Sequence, residues 1–191
     1  MRVYETIISI LEENGPMPIP TICHEVNKIL DLHREKPLMP SQIKTIVTQK
    51  KDLFYMSGER ISIHPDKYPC TLIATLDSFG GSSYKIYVNF LKKRFTYFEW
   101  RNKENTQPFA NFNTGFSGNM DDFKKEIYLI KLWEWESNYR NSEGIILEGK
   151  DWYVKLTTKG RSYESTGTNS FPDNWIWFCK TIENLTGAPF R

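Results

Sequence analysis

Between Pro40 and Asp52 the residues that helical spacing leaves in water are Ser41, Gln42, Lys44, Thr45, Thr48, Gln49 and Lys51. They carry hydroxyls, amides and amines, and no carboxylate interrupts them before Asp52. Gln can bond both polar positions on the adenine edge, Lys can reach guanine or phosphate, and Ser or Thr can bond either kind of group. A carboxylate on this face would repel phosphate, whereas the start of a helix attracts it through the dipole and its free N–H groups. Arg60 follows near the tip of a short hairpin, with Ser57 beside it, and could contact phosphate or an adjacent minor groove. This chemistry fits docking on duplex DNA. Two blander readings compete. Lys and Gln are also ordinary surface helix formers, and the same face could dock a protein.

Other groupings carry weaker chemistry. Lys92, Lys93 and Arg94, followed by Arg101 and Lys103, are interleaved with Phe90, Phe95, Tyr97, Phe98 and Trp100. Such a strip can stack the bases of a single strand. Alternating aromatics are more often the core of a hairpin, with lysines guarding its exposed turn, and that reading is preferred. Glu148-Gly149-Lys150 has the Glu-x-Lys spacing of Mg²⁺-dependent nucleases, with Asp121 or Asp122 as the earlier acid. Its setting reads as a turn between strands rather than a core strand, so a nuclease is the weakest alternative. None of His24, His33 and His64 falls in the later part of the chain, which denies that part a triad of its own. No phosphate-binding glycine motif is present. Asn169, Thr168 and their neighbours could hold an anion at the start of the last helix, but they suit a plain turn better. No catalytic residue and no cofactor is expected.

Cys23, Cys70 and Cys179 are far apart and odd in number, as suits reduced thiols in a cytoplasmic protein. They share no metal-ligand spacing with the histidines, so no metal site is expected. No apolar run is long enough to span a bilayer, and no membrane partner is expected.

The elements that position these groups follow from periodicity. Residues 3–13 read as an amphipathic helix stopped by Asn14-Gly15-Pro16. A second helix begins near Pro20, with Ile22, Val26, Ile29 and Leu30 on its stripe. Pro40 opens a third over 40–51, with Ile43, Ile46 and Val47 inward. Strands at 53–56 and 60–63 flank a turn at Ser57-Gly58-Glu59. Beyond residue 69 the pattern becomes strand-rich: 71–76, 84–90 paired with 94–100, 145–147, 152–157 and 161–165. Helices are expected near 121–132 and after Pro172. All six Trp lie from Trp100 onward, whereas Tyr4, Phe54, Tyr55 and Tyr68 are the only aromatics through residue 68. That shift argues for two separately built cores, over 1–66 and 70–191.

The stretch "VYETIISILEENGPMPIPTICHEVNKI", continued by "LMPSQIKTIVTQKKDLFYMSGERISI", resembles the HARE-type winged helix-turn-helix domains. These occur beside bacterial restriction enzymes and in an accessory subunit of bacterial RNA polymerase. The resemblance covers about a third of the chain and rests on apolar positions and glycines. It implies a third helix lying in the major groove and a wing beside it, and the family includes both DNA binders and protein binders. The stretch "LEGKDWYVKLTTKGRSYESTGTNSFPDNWIWFCKTIENLTG" resembles a strand-loop-helix module of uncharacterised bacterial proteins, which carries no activity with it.

The expected fold is therefore α+β: an N-terminal winged helix, then an aromatic-rich α+β domain with a mainly antiparallel sheet. The expected function is DNA-binding regulation by a bacterial or phage protein without covalent chemistry. The main alternative is a protein-interaction adaptor or inhibitor of a nucleic-acid machine. Residues 1–68 hold nine basic and nine acidic side chains, and the whole chain has a formal charge of only +2. So few phosphate contacts bind weakly. Such a binder needs a homodimer, or charge from Lys92, Lys93, Arg94 and Arg101.

Overall fold

A computed structural model describes residues 3–31, 36–100, 118–140 and 149–191 of the chain. The chain divides into two compact units, Met1–Tyr68 and Pro69–Arg191. Both mix helices with mainly antiparallel strands, as expected for an α+β chain.

In the first unit α1 (Val3–Asn14) turns Ile7, Ile8, Ile10 and Leu11 inward. Gly15, at φ 73, ends it by taking the left-handed conformation that a side chain resists, and its N–H bonds the Leu11 carbonyl. A two-residue strand β1 (Met17–Pro18) leads directly into α2 (Ile19–Ile29), which buries Ile22, Cys23, Val26 and Asn27. The third helix, α3 (Pro40–Gln49), buries Ile43 and Val47. Two strands follow, β2 (Phe54–Ser57) and β3 (Arg60–Ile63), joined by a two-residue turn with Gly58 at φ 59. The sheet order is β1-β3-β2.

Several expectations shift here. The third helix stops at Gln49, not 51, because Lys50 leaves the helical conformation. The strand expected at 53–56 moves one residue on, since Leu53 is a buried turn residue. Ile29, expected in the core, is 52 % exposed, and Asn27 is buried in its place.

The second unit is a six-stranded sheet with helices on one face. Its strands are β4 (Pro69–Ser78), β5 (Ser83–Asn89), β6 (Arg94–Trp100), β7 (Asn138–Arg140), β8 (Lys150–Thr158) and β9 (Ser162–Thr168). They lie in the order β6-β5-β4-β8-β9-β7, antiparallel except for β7 against β9. Register places Leu72, Ala74 and Leu76 of β4 beside Val88, Ile86 and Tyr84 of β5, and beside Leu156, Val154 and Trp152 of β8. All are buried. The helices α4 (Met120–Ile130) and α5 (Trp175–Thr186) cover this face, through Phe123 against Phe90 and Trp175 against Trp152. Phe190, after α5, is fully buried against Tyr84 and Phe178. The strand expected at 145–147 lies outside the described residues.

Trp152 organises this core. Its ring meets Trp135, Tyr139, Phe171 and Trp175, and its indole N–H donates to the Ser170 carbonyl at 2.8 Å. Gly167 stands opposite it in the ladder. A Cβ there would come within 2.6 Å of the indole nitrogen and of the Ser170 oxygen. Only a bare backbone lets the indole reach its acceptor.

Among the described residues no helix is long and apolar enough to cross a membrane. Burial pushes the Cys179 thiol up to about 12, so it stays neutral, and Cys23 is also buried. Cys70 is half-exposed.

Two outcomes follow. Gly167→Ala should destabilise the protein by about 1–3 kcal/mol through overpacking, measured by urea denaturation followed through tryptophan fluorescence. In the native protein a thiol reagent should modify Cys70 well before Cys179, and equal rates for the two would contradict the buried, neutral thiol.

Candidate nucleic-acid interface

The start of α3 is set from α2. Asn27 sits buried one helix away and grips a single residue of the connecting chain through both its polar atoms. Its Nδ2 donates to the Leu38 carbonyl at 2.9 Å, and its Oδ1 accepts from the Leu38 N–H at 2.8 Å. The Cys23 thiol donates to the same carbonyl at 3.0 Å, and burial raises its pKa, keeping that proton in place. Leu38 is therefore fixed two residues before Pro40, the first residue of α3.

Pro40 suits the first helical position because its φ is preset and no N–H is needed there. The Gln42 N–H donates to the Met39 carbonyl at 2.9 Å, and the Gln42 Oε1 accepts from the Met39 N–H at 2.8 Å. With Ile43 and Val47 buried, Ser41, Gln42, Lys44, Thr45, Thr48 and Gln49 are all exposed. Lys51 is exposed too, but it lies in the turn beyond the helix.

These residues differ in how free their polar atoms are. Gln42 uses its oxygen in its own helix start, so it can offer a partner only its amide N–H groups unless that start loosens. The Thr45 hydroxyl donates to the Ser41 carbonyl at 3.0 Å and the Thr48 hydroxyl to the Lys44 carbonyl at 2.8 Å. Each can still accept. Ser41, Lys44 and Gln49 face solvent alongside them. Lys50 turns away and lies over the Tyr4 ring at 5.2 Å, bracing the end of α3 against α1.

Arg60 begins β3 beside the Gly58-Glu59 turn and is exposed, with its guanidinium donating to the Pro16 carbonyl at 3.3 Å. That bond ties the hairpin to the segment that enters α2. Ser57 pairs with Arg60 in the ladder. Tyr55 and Met56, on the same hairpin, are 51 % and 42 % exposed.

The second basic grouping is divided by the fold. Lys92 and Lys93 form the β5–β6 turn, and the Lys92 N–H bonds the Asn89 side chain at 2.9 Å. Lys93 is left-handed at φ 47, and its ammonium reaches Asp121 at 2.9 Å. Arg94 is exposed as the first residue of β6. Arg101 lies outside the described residues.

Asp121 is paired with Lys93 and Asp122 with Lys125 at 3.2 Å. Lys150 starts β8, while Glu148 lies outside the described residues. Among the described residues no group of three or more His, Cys, Asp or Glu could hold a metal ion. The loop before α5 is a turn: the Asn169 side-chain oxygen accepts from the Lys150 N–H at 2.8 Å, and the Thr168 hydroxyl donates to Asp151 at 2.7 Å. A cavity of about 470 Å³ lies between α4 and α5, bordered by Asp122, Glu126, Trp177 and Lys180. Its charges are mixed, and the Trp177 indole donates to Glu126 at 2.8 Å.

No known family, characterised protein or solved structure matches the chain.

Asn27 escaped the sequence reading, because its acceptor and donor lie eleven residues away, beyond any helical period. Replacing it with Ala would take the Asn27 acceptor from the Leu38 N–H and leave the Leu38 carbonyl with the Cys23 thiol alone. The expected cost is about 1–3 kcal/mol, read as a shift in the urea midpoint, and no shift would show that the clamp does not hold α3.

Proposed function

We propose that the first unit is a winged helix-turn-helix domain that docks on duplex DNA, with α3 in the major groove and the β2–β3 hairpin as its wing. The observation that carries this reading is the exposed face of α3. It presents Ser41, Lys44, Thr45, Thr48 and Gln49 with no carboxylate among them. The element order α1-β1-α2-α3-β2-β3 and the three-stranded sheet support the same reading. In this geometry Lys44 and Gln49 face base edges or phosphate, the Ser41 N–H and the dipole at the start of α3 favour a phosphate, and Lys51 and Arg60 reach the backbone on either side. The role is regulatory occupancy of DNA. Few cations take part, so affinity rests on two copies of the chain or on added charge from Lys92 and Arg94.

A second reading draws on a specific observation. Met39, at the head of α3, is 59 % exposed, and Tyr55 and Met56 are exposed on the hairpin. Apolar side chains at these places suit a protein partner, and an adaptor on a nucleic-acid machine would use the same surface.

Fluorescence anisotropy with random-sequence duplex DNA separates the two. On the DNA reading, binding weakens steeply with salt, and Lys44→Ala, Lys51→Ala and Arg60→Ala together lower affinity about tenfold or more while flattening the salt slope. Binding that ignores these substitutions would overturn it, and a partner captured without DNA affinity would favour the adaptor.

A further inference from the structure

The sheet of the second unit has two unlike faces, and the register assigns every residue of the β5–β6 hairpin to one of them. Tyr84, Ile86 and Val88 of β5 and Tyr97 of β6 point into the buried layer under α4 and α5. The opposite face of the hairpin is made by Ser83, Lys85, Tyr87 and Asn89 of β5 and by Arg94, Thr96, Phe98 and Trp100 of β6. Three of these residues are aromatic, two are cationic, and none is a carboxylate. Glu99, the acid on β6, belongs to the other face, opposite Tyr84.

The arrangement within that face is orderly. Lys85 pairs with Phe98, Tyr87 with Thr96, and Asn89 with Arg94. Tyr87 and Phe98 are thus diagonal neighbours, close enough for one chain of bases to meet both rings. Lys85 and Arg94 are exposed, and Tyr87 is 36 % exposed. Phe98 and Trp100 are half-buried, each leaving part of its ring to solvent. Next along the sheet, β4 contributes Ile73 beside Tyr87, so the apolar surface continues inward. On β8 and β9 the cation of this face is already paired. Lys155 and Tyr153 both bond the Glu164 carboxylate, which their hydrogen bonds and the lysine charge hold low. Alternation also puts Asp77 of β4 and Asp151 of β8 on this sheet face, so the acid-free surface is that of the β5–β6 hairpin, where Lys85, Arg94 and the rings are.

We infer that the outer face of the β5–β6 hairpin is a stacking platform for single-stranded DNA, with bases lying on Tyr87 and Phe98 and phosphates held by Lys85 and Arg94. The chemistry is complementary on both counts. Every base presents a π-face that an aromatic ring accepts without regard to sequence, and the phosphate chain needs cations with no carboxylate between them. The assignment to DNA rather than RNA rests on the duplex-DNA reading of the first unit. The platform itself does not depend on it.

The test is fluorescence anisotropy of the full chain with a labelled fifteen-residue oligothymidylate, its oligouridylate counterpart and a duplex. The expected result is salt-sensitive binding of oligothymidylate that falls about tenfold or more in Tyr87→Ala/Phe98→Ala. Tyr87→Phe should retain binding, because the ring and not the hydroxyl is used. Lys85→Glu/Arg94→Glu alters only exposed side chains and should also abolish binding, which keeps the test valid if the aromatic variant fails to fold. Lys44→Ala/Lys51→Ala should lose duplex affinity and keep oligothymidylate affinity, so failure of the first unit's reading stays distinct from failure of this one. Absence of oligothymidylate binding by the unaltered chain would overturn the platform. So would binding unchanged in both hairpin variants, and tighter binding of oligouridylate would overturn the assignment to DNA.

Discussion

The grip of Asn27 on Leu38 is the constraint on which the first unit's surface depends. A helix of ten residues is short for independent stability in water. The position of α3 must therefore come from tertiary contacts, namely Ile43 and Val47 in the core and a fixed point of departure. Asn27 supplies that point by satisfying a donor and an acceptor of one backbone residue at once. A buried amide with both ends bonded specifies a unique arrangement, whereas an apolar residue in its place would let the connection slide. The direction of α3, and so the direction of its charge-free-of-acid face, follows from that clamp. Lys50 over Tyr4 and Arg60 on the Pro16 carbonyl hold the other end of the helix and the hairpin in the same way.

The second unit uses a different device. One sheet face is closed by aromatic packing around Trp152, which Gly167 makes room for, and the other face keeps solvent contact. A two-layer arrangement of this kind leaves Lys85, Tyr87 and Arg94 on the outer face exposed while the stability resides behind them. The two units thus arrive at related chemistry by separate routes. On α3 the acid-free surface comes from the composition of one helix face. On the β5–β6 hairpin it comes from alternation, which sends Glu99 to one side and Lys85, Arg94 and the rings to the other.

Much of this was legible in the residues. Period 3.6 points Ile43, Ile46 and Val47, Phe123, Ile127 and Ile130, and Trp175, Phe178, Ile182 and Leu185 inward, and all are buried except Ile46, which is half-exposed. Alternation identified Tyr84, Ile86, Val88 and Phe90 as one face. What escaped was non-local. Ile29 fits the α2 stripe and so belongs in the core by periodicity, but Asn27 is buried instead, with its partners at Leu38. The two residues of β1 are too few to show a period, yet they pair with Ile61 and Arg60 and complete a sheet. The aromatics of the β5–β6 hairpin were read chiefly as core. Register divides them: Phe90 and Tyr97 are buried, while Tyr87 and Phe98 stand on the other side. Periodicity leaves Gln42 outward, where its amide could pair adenine, but its oxygen holds the start of its own helix.

The central claim is that the exposed face of α3 contacts duplex DNA. The most direct measurement is a titration of duplex DNA into isotope-labelled protein, following backbone amide resonances by NMR. The account predicts that the largest shifts fall at residues 40–49 and at Gly58, Glu59 and Arg60, and that they fade as salt is raised. Shifts confined to other residues, or none at stoichiometric DNA and low salt, would contradict it.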